Sequence, residues 1–168
     1  MDEQFLGTEN MEILLETKTE GSFRDPEMLH ALESIKKWLE IRYPELVSYN
    51  CTMNNQLKQT HKKLIGSDEE AYKIPESTEL ISQLLLLIEG GDYEDLERTV
   101  SIDYANARMS VSLKTIGSKK SVELINEVQP ELERIVAPLK KKYPSLKITV
   151  TGRVGAWARV FDLSLIHI

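Results

Sequence analysis

The tetrapeptides YPEL (residues 43–46) and YPSL (residues 143–146) close two helical stretches and open two alternating ones. Reading outward from the first, Asp25 suits a helix N-cap and Pro26 suits the first turn. Met28, Leu32, Ile35 and Leu39 then fall on one face of a helix running to about Arg42, which Tyr43-Pro44 ends. Upstream, residues 11–18 read MEILLETK, with Met11, Ile13 and Leu15 alternating against Glu12, Leu14 and Glu16. Downstream, over residues 46–53, Val47, Tyr49, Cys51 and Met53 alternate with Ser48, Asn50 and Thr52, so the first four are expected to share one face of a strand. The whole is one strand–helix–strand unit.

The second tetrapeptide sits in a similar frame. Residues 107–115 carry Met109, Val111 and Leu113 in one phase, while Ile102 and Tyr104 lie in the other. That phase change predicts a bulge or a break near Ala105. A helix is expected over residues 121–142, carrying Val122, Ile125, Val128, Leu132, Ile135, Val136 and Leu139. Pro130 and Pro138 each remove a backbone donor, so a kink or break is expected. Leu146, Ile148 and Val150 make a final strand, closed by Thr151-Gly152. The simplest reading is an internal pseudo-repeat of two split β-α-β halves, an α+β, ferredoxin-like plan. Right-handed crossovers then place both helices on one face of a four-stranded antiparallel sheet. The alternative is that Tyr-Pro is only a common helix stop.

The halves span about 11–53 and 100–152 of a single domain, 1–162, with an insertion of about 54–99. Within the insertion, residues 55–65 suit a short helix and 66–70 a polar loop. Residues 75–89 suit a longer helix, started by Pro75 or Ser77 and stopped by Gly90-Gly91. It contains four consecutive leucines, Leu84 to Leu87. At 100° per residue Leu80, Ile81, Leu84, Leu85, Leu87 and Ile88 share a broad stripe, and Leu86 lies off it. The quartet therefore reads mainly as a buried helix face, with Leu86 left for solvent or for a partner.

The 168 residues carry a formal net charge of −6, with 41% apolar and 29% charged residues. The acidic balance disfavours nucleic acid and anionic lipid surfaces. No apolar run approaches the ~20 residues that span a bilayer. Met1 is followed by Asp2 and Glu3 rather than by a basic and then apolar stretch, so no secretory signal is expected there. The single cysteine, Cys51, allows no internal disulfide. Asn50-Cys51-Thr52 fits a glycosylation triplet that often arises by chance. His30, His61 and His167 lack ligand-like spacing, no glycine-rich phosphate loop follows a strand, and Cys51 has no nucleophile motif around it. Asp68-Glu69-Glu70 and Glu94-Asp95 read as solvated loop or helix-start charges. No catalytic, metal or cofactor residue is therefore expected, and no enzyme. The ferredoxin-like plan hosts several functions, so the fold does not choose among them. An RNA platform would need more strand aromatics than Tyr49 and Tyr104, and a metallochaperone would need a Cys-x-x-Cys.

Ordered short motifs carry a resemblance. They are Leu6-Gly7-Thr8 before MEILLET, Asp25-Pro26-Glu27, the run from Tyr72 through Ser77, Glu79 through Gln83 with the leucines, Asp103-Tyr104, Ala107-Arg108, Ile148 through Gly152, and Ala158-Arg159. In that order the chain, from Phe5 to about Phe161, resembles the large extracytoplasmic loop of resistance–nodulation–division (RND) exporters, in the hydrophobe and lipid branch that includes MMPL-like proteins. The resemblance implies a porter domain of a proton-driven exporter, outside the cytoplasmic membrane. Its implied partners are a second porter domain, the transmembrane helices of the parent protein and a hydrophobic or lipid substrate, with an oligomer possible in principle. The proton-relaying residues of such exporters lie in transmembrane helices, so this chain alone is expected to be a fragment without transport activity. Residues 163–168 depart from the family's pattern and are expected to be truncated or non-native. The rival expectation is a soluble ferredoxin-like ligand-binding or regulatory domain. Coding sequence beyond both ends distinguishes the two, because only the exporter requires flanking transmembrane spans.

Overall fold

The computed structural model describes residues 8–66, 71–91 and 93–156. Four strands form one antiparallel sheet: β1 (Thr8–Glu16), β2 (Val47–Cys51), β3 (Asn106–Lys114) and β4 (Lys147–Thr151), in the order β2-β3-β1-β4. Helix α1 (Pro26–Arg42) links β1 to β2, and α5 (Gly117–Val136) links β3 to β4. This is the split β-α-β plan, with α2 (Met53–Ile65), α3 (Thr78–Glu89) and the short α4 (Tyr93–Glu97) inserted between the halves.

Alternation decides which sheet face is covered. Met11, Ile13 and Leu15 of β1, Met109, Val111 and Leu113 of β3, and Ile148 and Val150 of β4 are buried. They meet Leu32, Ile35 and Leu39 of α1 and Val128, Leu132 and Val136 of α5 in one core. The other sheet face is polar. Glu12 in its middle accepts a hydrogen bond from Ser110 Oγ at 2.9 Å and lies 3.7 Å from Arg108.

The Tyr-Pro repeat has a tertiary counterpart. Tyr43 N–H donates to Leu39 O at 2.9 Å and Tyr143 N–H to Leu139 O at 2.8 Å, closing each helical stretch in the same way. Each phenol then crosses to the other half: Tyr43 donates to Glu127 of α5 at 2.8 Å, and Tyr143 donates to Asp25 at the start of α1 at 2.7 Å. The residue before each tyrosine follows it, Arg42 to Glu127 at 3.6 Å and Lys142 to Asp25 at 2.7 Å. Burial, followed by the carboxylate acceptor, pushes the Tyr43 phenol up to about 12 and the Tyr143 phenol up as well. Asp25 also caps α1, accepting the Glu27 N–H at 3.1 Å.

Two expectations are corrected by backbone geometry. The 46–53 strand does not keep one phase, because a β-bulge between Val47 and Tyr49 inserts Ser48 and reverses the faces. Tyr49 is therefore 60% exposed while Asn50 is buried, and Met53 belongs to α2. The second long helix starts at Gly117, runs through Pro130 and gives way at Ala137 to a 3-10 turn (Ala137–Lys141) containing Pro138. The expected break thus falls at Pro138. The phase change near Ala105 is also real: Tyr104 has φ 54° and β3 begins at Asn106. Residues 163–168 lie outside the described residues.

Candidate functional site

The insertion is where this chain departs from the bare four-stranded plan, and α2 and α3 form its body. Ser77 caps α3, its hydroxyl accepting the Leu80 N–H at 3.3 Å, and Gly90 ends the helix. The cap is therefore Ser77, not Pro75. Ile81, Leu84, Leu85 and Ile88 are buried in the common core. Leu86 is 68% exposed, as its phase predicts, but Leu87 is 55% exposed as well, against expectation. The four buried residues span only roughly 100° of the helix, and Leu87 lies roughly 110° from the centre of that arc. The stripe expected to include Leu87 is wider than the surface that buries α3.

Polar contacts fasten the insertion to α1. Lys58 of α2 meets Glu33 of α1 at 2.8 Å, with both side chains largely buried, and the Tyr72 ring lies 4.8 Å from the Lys58 ammonium. Asn54 donates to the Leu29 carbonyl at 2.8 Å. His61, buried on the same helix face, is 3.1 Å from the Lys73 carbonyl, and the exposed His30 is 2.9 Å from Glu76. At the far end of α3, Glu89 accepts the Tyr104 hydroxyl proton at 2.5 Å, tying the insertion to the loop before β3. The histidines that the sequence offered are thus structural contacts, and His167 lies outside the described residues. Among the described residues no group of three potential metal ligands occurs. Glu94 and Asp95 occupy the first turn of α4, while 68–70 lie outside the described residues.

A shallow groove reaches Leu87, and a larger hollow adjoins it on α2. The groove, of about 210 Å³, is lined by Gln56, Thr60 and Lys63 of α2 and by Leu87 and Ile88 of α3. It shares Gln59 and Lys63 with the hollow, of about 540 Å³, which reaches Lys62 and Tyr72. Leu64 and Ile65 at the end of α2 are exposed too. This surface offers apolar area beside ammonium groups, which suits contact with another apolar surface. A separate cavity of about 290 Å³ is lined by Arg24, Glu89, Glu97 and Tyr104, where the Arg24 guanidinium stacks 4.4 Å from the Tyr104 ring.

The role of Lys58 was not legible. It lies beside the Met53, Leu57, His61 stripe of α2, and only the packed α1 shows that a carboxylate waits there. Burial pushes the Glu33 carboxyl up, but the Lys58 hydrogen bond and charge outweigh it and hold the group below 4.5. Asp25 behaves alike: burial raises it, while Lys142, Tyr143 and the Glu27 N–H bring it below 3.8. Both carboxyls bind protons more readily in the unfolded chain. Their stabilising contribution is therefore complete above these ordinary values and is lost as pH falls through the lowered folded ones. Urea midpoints are expected to fall as pH drops below 4.5 and further below 3.8, and less steeply in Asp25→Asn. Identical slopes in the two proteins would remove Asp25 from this account.

No protein-family model, curated protein or solved structure matches this chain. Among the described residues no helix is long and apolar enough to cross a membrane.

Proposed function

We propose that this chain is the extracytoplasmic porter domain of an RND-type, proton-driven exporter of lipids or other hydrophobes. The ordered motifs from Leu6 to Arg159 suggest the family. The observation that carries the reading is an α3 that buries four apolar residues in the domain core while presenting Leu86 and Leu87 outward. A porter domain works by shape and movement. A hydrophobic cargo leaves water for an apolar wall at roughly 25 cal/mol per Å² of apolar surface, and domain motion then releases it. In this reading α3 is part of that wall, or of the seam with a neighbouring porter domain.

The test is made in the full parent gene. Its sequence should encode transmembrane spans on both sides of this domain. Leu86→Glu and Leu87→Glu, singly and together, are expected to leave the isolated domain's unfolding free energy within about 0.5 kcal/mol, as exposed positions do. In the parent protein the pair is expected to reduce export at least tenfold. A parent without flanking spans would instead support a soluble ligand-binding domain, and full export by the double variant would remove α3 from the route.

A further inference from the structure

Among the described residues β4 is an edge strand of five residues, KITVT, four of them β-branched and none of them acidic. Such an edge exposes backbone donors and acceptors to any passing strand. Here a side chain occupies one acceptor and one donor of that edge. The Gln129 amide of α5 donates to the Ile148 carbonyl at 3.1 Å and accepts the Val150 N–H at 3.2 Å. Those are the two bonds that one residue of a neighbouring parallel strand would make with Ile148 and Val150. Gln129 lies outside the apolar stripe of α5, between the buried Val128 and the exposed Pro130, and it is only half-buried.

We infer that the outer edge of β4 is a strand-pairing surface held shut by Gln129, and that the strand it takes when Gln129 leaves is β4 of a second copy of this chain. The sequence of β4 is self-compatible in one antiparallel register, centred on Thr149. That register sets Ile148 opposite the partner's Val150 and Lys147 opposite the partner's Thr151. It keeps the apolar residues of both copies on the core face and brings no like charges opposite one another. Five paired residues bury far less than the ~1,200 Å² typical of stable interfaces, so the pair is weak, with a dissociation constant on the order of 100 µM. In the intact domain Gln129 competes from within the same molecule and wins.

The test is Gln129→Ala in the whole chain, followed by sedimentation equilibrium from about 10 µM to about 1 mM, a range that brackets the expected constant. Wild type is expected to stay monomeric. The variant is expected to dimerise at the upper concentrations, with slowed amide exchange confined to residues 147–151. Adding Thr149→Lys places two ammonium groups opposite each other at the centre of the register, and is expected to restore the monomer. Gln129→Asn keeps an amide that is one methylene short of both groups, and serves if the alanine variant does not fold. A monomer at about 1 mM in the folded variant overturns the inference. So does a dimer that Thr149→Lys leaves intact, because it would form elsewhere.

Discussion

Replacing Lys58 by alanine is expected to lower the unfolding free energy by about 3 kcal/mol, at the lower end of what removing one partner of a buried ion pair costs. The cost arises mainly from what is left behind. The Glu33 carboxyl would be left in a site where its side chain is 16% exposed, with no ammonium at 2.8 Å and one oxygen already lacking a hydrogen bond. Loss of the Tyr72 ring contact adds a smaller amount. Urea unfolding measures the total. The double variant Lys58→Met with Glu33→Leu should recover most of it, since two well-packed apolar side chains need no partner. If the double variant is as unstable as the single one, packing of the Lys58 stem rather than the orphaned carboxyl sets the cost. Amide exchange should locate the damage in α2, because Lys58 and Asn54 hold that helix to α1.

Gly152→Ala is expected to cost at least as much, about 3–5 kcal/mol, combining backbone strain with overpacking. Gly152 follows β4 at φ 86°, in the left-handed region that favours glycine. A Cβ there would lie 2.8 Å from the Asn10 carbonyl oxygen and 3.0 Å from the Glu12 nitrogen. Both are backbone atoms of the central strand β1, so no side chain can swing aside. Gly21→Ala is the comparison. Its φ is 75°, but no atom lies within 4 Å of the added Cβ, so only the strain of about 1–2 kcal/mol remains. At about 2–4 °C per kcal/mol for a domain of this size, the two substitutions should differ in thermal midpoint by several degrees. Equal shifts would show that β1 yields locally at Asn10.

Much of the architecture was legible because local and tertiary signals agree. Asp25-Pro26 starts α1, Ser77 starts α3, and the alternation in residues 11–15 and 109–113 marks the strands that fill the middle of the sheet. Positions buried on one face can have only one register, since a slip of one residue would turn every apolar side chain outward. The 46–53 strand escaped that logic. It lies at the sheet edge, where the bulge at Ser48 has neighbours on one side only, and its apolar residues did not reveal the phase reversal. The candidate surface on the insertion was half legible: Leu86 followed from helical phase, and Leu87 did not.

By itself the sequence determined the four strands and long helices in outline, the internal repeat and hence the split β-α-β plan, because periodicity and capping are properties of neighbouring residues. Tertiary structure alone decided which groups meet across the halves: Tyr43 with Glu127, Tyr143 with Asp25, Lys58 with Glu33, and Gln129 with the edge of β4. Polar side chains carry no periodic mark of their partners. Their pairing depends on where packed helices bring distant carboxylates and carbonyls, and burial then turns those encounters into free energy.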